Sequence, residues 1–222
     1  MTIPSLLRPT HSRRSLFSNP ASLLQRLKLE TRPHHERAEQ AVRLMEPALT
    51  PAGYRRHLEA LWGLHAPLEE RLAERLTGSM PELRIGERRK AALLEVDLRA
   101  LGHDAASLAC LPRAAGLPPL PGVPEALGCC YVLEGSTLGG QVLLRHLSRH
   151  FEGVPVGPFA FFRAYGEQTG PMWRAFGEAL TRASSEAASE VFDGRVIQGA
   201  QETFEAFVAW LSQEASDAPV RL

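Results

Sequence analysis

The sequence is poor in cysteine, carries no net charge and contains no long apolar run. Its three cysteines, Cys110, Cys129 and Cys130, lack CxxC spacing, which argues against a disulfide framework and a zinc site. The 25 basic and 25 acidic residues cancel, so no overall electrostatic field attracts nucleic acid or an anionic membrane. No apolar segment approaches the roughly 20 residues that cross a bilayer. We therefore expect a cytoplasmic protein with neither nucleic acid nor a membrane as a partner.

What the chain does have is the composition of an ordinary globular domain, with 44% apolar and 23% charged residues over 222 positions. Residues 1–22 mix proline, serine and arginine without periodicity. They predict a flexible N-terminal arm, with a targeting or partner-docking segment as the alternative. We expect the folded domain at residues 23–215 and a short tail at residues 216–222.

Apolar residues recur at helical spacing through most of the remaining chain. The first helical pattern is interrupted by Pro33, which either kinks the helix or lies in its first turn after Thr31. The clearest amphipathic helix opens at Thr50 and has an apolar stripe made of Tyr54, Leu58, Leu61, Trp62, His65, Leu68 and Leu72. Other helices are predicted at residues 23–45, 87–101, 124–150, 171–188 and 195–213. Because no segment alternates like a strand, the predicted fold is an all-α, single-domain helical bundle.

A first candidate site is the pair His35 and Glu39, which lie one helical turn apart on the same face. A carboxylate beside an imidazole fixes the tautomer and strengthens the other ring nitrogen as a metal ligand. A solvated pair on an exposed face explains the spacing equally well. Composition alone does not distinguish His34 from His35 as the candidate metal ligand.

A second candidate site is the helix that contains Gly135, Gly139 and Gly140. A glycine inside a helix costs about 1 kcal/mol relative to alanine, so their presence suggests that something bulky lies against the backbone. Together with Ser136, these residues form one broad face without large side chains. A flat ligand and a close helix contact both remain open. Glu134 points about 100° away from Gly135 on an ideal helix, so we expect it to be structural.

The two segments together resemble the heme oxygenase family. The pattern LKxxTxxxHxxxE is met by Leu27, Lys28, Thr31, His35 and Glu39, and LEGSTLGGQ follows about a hundred residues later. The second motif is similar to the bacterial branch that supplies biliverdin to phytochromes.

The resemblance implies that His35 is the proximal ligand of heme iron and that Glu39 supports it. It places Lys28 and Arg32 near the heme propionates, and we add Arg174 as a further propionate contact. The distal helix is then the segment containing Gly135, Ser136, Gly139 and Gly140, with its backbone over the porphyrin. Ser136 stands where the animal branch carries an aspartate, so protons must come through backbone carbonyls, Ser136 or another residue.

The implied activity uses heme as both cofactor and substrate. Heme is cleaved to biliverdin, carbon monoxide and ferrous iron with dioxygen and external electrons. No flavin, nicotinamide or iron–sulfur motif is visible, so the electrons come from a partner such as a ferredoxin or a reductase. The branch further implies a bacterial phytochrome as acceptor of biliverdin. A non-catalytic protein for heme binding, transfer or sensing is the alternative, and an unrelated hydrolase or binding protein on the same architecture is a second one.

Overall fold

The computed structural model describes residues 22–216, and within that range every regular element is helical. The predicted all-α bundle is therefore confirmed. The predicted arm and tail lie outside the described residues, apart from Ser22 and Ser216 at the two ends. The helices are α1 Leu23–Glu30, α2 Arg32–Ala41, α3 Pro51–Leu76, α4 Ala91–Ala100, α5 Ala105–Ala109, α6 Val123–His150, α7 Ala160–Arg163, α8 Thr169–Ala187 and α9 Glu190–Ser216.

The chain breaks between α1 and α2 at Thr31, not at Pro33. Ser22 and Gln25 form a capping box that starts α1, and Thr31 ends it. Pro33 lies in the first turn of α2, where the missing N–H leaves no helical hydrogen bond unmade. Of the two roles predicted for Pro33, the second is therefore correct. α2 ends at Ala41, and a separate 3-10 turn, Arg43–Met45, follows it.

Several other boundaries differ from the prediction. The helix expected from residue 87 begins at Ala91, because Ile85–Arg88 forms a 3-10 turn after Arg84, whose φ of 46° is left-handed. α9 begins at Glu190 rather than at residue 195. The short helices α5 and α7 were not predicted. The glycine-bearing helix matches closely, with Val123–His150 observed as one continuous helix.

The predicted apolar stripe of α3 is buried along its whole length, so α3 lies at the centre of the core. It packs against α4, α6 and α9. The Trp210 indole N–H of α9 donates to the carbonyl of Ala60 at 2.7 Å. Cys129 and Cys130 are also fully buried, as expected of small apolar residues, and burial raises the pKa of the Cys129 thiol to about 12. Among the described helices, none combines the length and the apolar character needed to cross a membrane.

Among the described helices, α6 and α9 form the most extensive contact, and glycine on both helices makes it possible. A Cβ added to Gly128 would lie 2.0 Å from the carbonyl oxygen of Val196. A Cβ added to Gly199 would lie 2.4 Å from the carbonyl oxygen of Glu125. The two backbones thus approach so closely that no side chain fits between them at either position.

We predict opposite stability changes for two alanine substitutions in α6. Gly128→Ala should lower the free energy of unfolding by about 1–3 kcal/mol, because the methyl group overpacks the contact with α9. Gly139→Ala should raise it by up to about 1 kcal/mol, because no atom lies within 4 Å of the added Cβ and alanine favours the helix. Urea denaturation of the ligand-free protein measures both. Equal changes in the two variants would contradict this account of the crossing.

Candidate functional site

One face of α6 is left uncovered by the rest of the described structure. A Cβ added to Gly139 would meet no atom within 4 Å, and one added to Gly135 would meet only the Trp173 ring, at 3.8 Å. On the same side of the helix, Leu138 is 42% exposed and Val142 51% exposed. Exposed apolar side chains beside bare backbone form a surface suited to a flat apolar ligand.

This open face helps to distinguish a flat ligand from a close helix contact as the reason for the glycines of α6. The close helix contact that glycine permits occurs at Gly128, where α9 crosses α6. No described helix covers the backbone at Gly139. Gly140 is about 100° further round the helix, where an added Cβ would lie 3.4 Å from the carbonyl oxygen of Phe162, so α7 is its neighbour. Within the described residues a close helix contact does not explain Gly135 and Gly139, which favours a ligand there, whereas Gly140 accommodates α7.

His35 lies on α2 with 58% of its side chain exposed. Its ring meets the Phe204 ring of α9 edge to face, with centroids 5.9 Å apart. Its Nδ1 is 3.7 Å from Glu39 Oε2, which places the two on one face but is too long for a hydrogen bond. His34 is only 17% exposed and pairs with Glu205 at 3.4 Å. Of the two adjacent rings, His35 is thus the one open to a ligand.

Thr31 and Tyr131 lie close together: burial raises the pKa of Tyr131, and the neighbouring Thr31 hydroxyl partly offsets that rise. Thr31 lies one turn before His35, and Tyr131 lies one turn before Gly135. The Thr31 hydroxyl itself donates to the carbonyl of Leu27 at 2.7 Å. Tyr131 also contacts the ring of Trp173, with centroids 5.8 Å apart. The start of α2 therefore lies near the turn of α6 that precedes Gly135.

The three predicted propionate contacts lie on the surface. Lys28 is exposed near the end of α1, and Arg174 is exposed on α8, the helix against which α1 packs. Arg32 is also exposed, and its Nε donates to Glu36 at 2.9 Å. The structure therefore places Lys28 and Arg174 on neighbouring helices, whereas Arg32 already has an acidic partner.

A cavity of about 530 Å³, including its open mouth, lies beside Ser136 and Gly140 on the inner side of α6. Its wall is mostly apolar, with Val42, Leu61, Leu143, Phe161, Phe162 and Phe207, and its polar groups are His57, His65, Lys90, Ser136 and Thr137. Burial lowers the pKa of His57 to about 4, so this ring is neutral at neutral pH. Ser136 thus lies between the open face and a partly open cavity.

The hydroxyl groups in this cavity donate to α6 itself. Ser136 Oγ donates to the carbonyl of Leu133 at 2.8 Å, and Thr137 Oγ1 donates to that of Glu134 at 2.7 Å. Each hydroxyl proton is therefore already used in a hydrogen bond, while the oxygen lone pairs can still accept one.

His65 is a functional candidate that the sequence reasoning missed, since it was assigned to the apolar stripe of α3. Its Nδ1 lies 3.1 Å from Glu69 Oε1. Burial alone would raise the pKa of Glu69, but hydrogen bonds from His65 and from the N–H groups of Lys90 and Ala91 outweigh burial and lower it. An ionised Glu69 accepts from Nδ1–H and leaves the Nε2 lone pair for a partner. The His-x-x-x-Glu spacing, shared with His35 and Glu39, was the available signal.

Comparison with known proteins identifies related sequences and structures. A sequence model of the family described as "Heme oxygenase" matches residues 21–213. A protein named heme oxygenase from Xanthomonas campestris pv. campestris is 36% identical over 163 residues, covering 72% of this chain and 87% of that protein.

Two solved structures share the fold. Heme oxygenase-1 from the cyanobacterium Synechocystis sp., in complex with heme, has a TM-score of 0.67 and 15% identity, covering 87% of this chain and 92% of that one. The NO- and CO-bound heme oxygenase from Neisseria meningitidis has a TM-score of 0.67 and 23% identity, covering 90% and 95%. From the match over most of its length and the identity to the Xanthomonas protein, the chain belongs to the heme oxygenase family.

Proposed function

We propose that the protein holds heme between the open face of α6 and the His35 side of α2, and degrades it to biliverdin, carbon monoxide and ferrous iron. Family membership makes the protein a heme-degrading oxidoreductase with heme as substrate and cofactor. The observation that carries the finer proposal is the uncovered glycine face of α6, which begins one turn after Tyr131, the neighbour of Thr31 at the start of the His35 helix.

The residues present fit heme. An exposed imidazole supplies a ligand of the kind that heme iron takes in many proteins. Bare backbone at Gly139, flanked by Leu138 and Val142, supplies an apolar surface on which a planar ring can lie. Cations at Lys28 and Arg174 can neutralise propionates near the molecular surface. These residues come from four helices, α1, α2, α6 and α8.

On the proximal side, His35 binds iron through one ring nitrogen in this proposal. Glu39 lies close enough to take a hydrogen bond from Nδ1–H after a small side-chain adjustment from 3.7 Å, which would fix Nε2 as the ligand atom. Phe204 packs edge-on against the ring and limits its rotation.

On the distal side, bound heme supplies the iron that activates dioxygen and the carbon framework that is oxidised. The protein must then supply protons without the aspartate of the animal branch. We assign this role to His65, whose Nε2 can orient a water molecule in the cavity while Glu69 holds Nδ1–H. Ser136 can accept a hydrogen bond from the same water.

The remaining partners follow from the activity. Dioxygen is the oxidant, an external ferredoxin or reductase delivers the electrons, and a bacterial phytochrome is the proposed acceptor of biliverdin. A cytoplasmic location is part of the same proposal.

A second candidate function is heme binding, transfer or sensing without ring opening, which Ser136 in place of an aspartate favours. One experiment separates the two. The protein is reconstituted with heme without air, reduced and then exposed to air. Release of carbon monoxide with a bilin supports the enzyme, whereas a stable heme spectrum without either product supports the binding protein.

We predict that His35→Ala abolishes the spectral signature of histidine-ligated heme and that added imidazole restores it, because the iron then takes the free ligand. His34→Ala is the matched control and should retain the signature, since that ring is less exposed and pairs with Glu205. Absorption and resonance Raman spectra of the ferric and ferrous complexes measure both. Loss of the signature in His34→Ala alone would reassign the ligand.

We predict that Gly139→Leu weakens heme binding or changes the bilin isomer, because the new side chain occupies the open face. Gly194→Leu is the control, since Gly194 also lies in a helix with no atom within 4 Å of an added Cβ. Heme titration and chromatography of the products give the two readouts. Wild-type affinity and product in Gly139→Leu would remove this glycine from the site.

We predict that His65→Leu slows bilin formation by about 100-fold, the lower range for loss of a general acid or base, with little change in heme affinity. The pH dependence of the ferric heme spectrum should change as well, because a polar group beside the distal cavity is lost. His103→Leu is the control, since His103 forms a comparable pair with Glu59, at 2.8 Å, away from the cavity. Turnover of His65→Leu at the wild-type rate would exclude the role.

A further inference from the structure

Glu134 directly precedes Gly135 but points away from the open face, as its position on the helix predicts. It is 2% exposed. Its Oε1 accepts hydrogen bonds from Lys90 Nζ and the Tyr165 hydroxyl, both at 2.7 Å, and its Oε2 forms an ion pair with the Arg88 guanidinium. The carboxylate therefore holds this turn of α6 in place from the side of the helix that faces away from the open face.

The three donors come from two separate stretches of the chain. Arg88 ends a 3-10 turn, Lys90 directly precedes α4, and Tyr165 follows α7. Lys90 Nζ also donates to the carbonyl of Arg88 at 2.9 Å. Burial, followed by the charge of Glu134, raises the pKa of Tyr165, so its hydroxyl keeps the proton that it donates. The cluster thus fixes the position of α6 relative to the chain segments that carry Arg88, Lys90 and Tyr165.

Arg88 extends the cluster to α8. Its Nη1 donates to the carbonyl of Met172 at 3.2 Å, while its Nε donates to the carbonyl of Leu83 at 2.7 Å. The next residue in α8 is Trp173, whose ring stands 3.8 Å from a Cβ built on Gly135. One carboxylate therefore connects the glycine turn of α6 to the part of α8 that closes one end of the open face.

We propose that Glu134 is a positioning residue that determines which meso carbon of heme is oxidised. It does so by fixing the open face of α6 relative to α8, which carries Trp173 and the predicted propionate contact Arg174. The inference rests on the proposed function. A shift of α6 relative to α8 would change the position of the open face over the heme ring and the position of Arg174 at the propionates. The isomer of the product is therefore the sensitive readout.

A purely structural role is the competing explanation, since an unpaired buried charge destabilises any fold. The chain offers a matched control in Glu125, which is also buried on α6. Its carboxylate forms a two-point ion pair with Arg195, at 2.6 and 3.0 Å, near the start of the helix and away from the glycine face. Glu125→Gln therefore removes a buried carboxylate of α6 without touching the Glu134 cluster.

The experiment compares wild type, Glu134→Gln and Glu125→Gln as full-length proteins. Heme methyl shifts in the NMR spectrum of the ferric complex report ring orientation, and chromatography after turnover reports the bilin isomers. Hydrogen exchange of the ligand-free proteins reports the mobility of residues 135–141. We expect Glu134→Gln to change the isomer ratio on the order of tenfold, within the range that a misplacement of about 1 Å produces. It should also alter the methyl shifts and accelerate exchange in that segment, whereas Glu125→Gln should match wild type in all three.

Tyr165→Phe is a milder variant that remains informative if Glu134→Gln does not fold. It removes one hydrogen bond to Glu134 and leaves both ion pairs, so we expect a smaller change in the same direction. Identical isomer ratios and methyl shifts in wild type and in whichever cluster variants fold would overturn the inference. A wild-type protein that does not bind heme would instead overturn the proposed function, and the inference with it.

Discussion

The close crossing of α6 and α9 is the constraint on which the arrangement of the site depends. At Gly128 and Gly199 the two backbones touch, so α9 is fixed along the first half of α6. α9 also packs against α2 and presents Phe204 to the ring of His35. The crossing therefore sets the position of the His35 helix relative to α6. Because α9 takes its close contact at Gly128, it leaves Gly135 and Gly139 of the same helix uncovered.

The sequence predicted the long helices well and the short ones poorly, for a physical reason. A long helix such as α6 repeats its apolar period several times, so its observed bounds Val123–His150 fall within a residue of the expected 124–150. α7 has four residues, too few for any period to show, and tertiary contacts hold it in place. Asp97 accepts hydrogen bonds from the N–H groups of Ala160 and Phe161 at 2.7 and 2.9 Å. That contact joins residues more than sixty positions apart, which local propensity cannot reveal.

The candidate site was predictable where a motif marked it and not where burial decided the role. The chain contains two His-x-x-x-Glu pairs on helices that differ in their surroundings. His35 and Glu39 lie on a polar, exposed helix and match a family pattern, so the sequence singled them out. His65 and Glu69 lie in an apolar stripe, where a histidine reads as part of the core. Only the structure shows that hydrogen bonds to Glu69 lower its pKa against the effect of burial and that His65 lines the cavity. A buried carboxylate one turn from a buried imidazole has to be satisfied, and that requirement is the stronger signal.

The two faces of α6 have different roles: one is the candidate ligand surface, and the other holds the helix in the bundle through Glu134. The open face carries glycine, aliphatic groups and the Ser136 hydroxyl, whereas Glu134 points about 140° away from Gly139 on an ideal helix. If heme binds there as proposed, its apolar ring would desolvate a carboxylate on the open face, which is costly without a partner. On the rear face the same carboxylate meets Arg88, Lys90 and Tyr165, so it is satisfied and holds the helix. A rigid helix then transmits that fixed position to its glycines, because an element with its hydrogen bonds intact moves as one body. The proposed roles are compatible with Ser136 in place of an aspartate, since His65 on α3 would supply the protons while α6 keeps an uncharged surface toward the proposed heme.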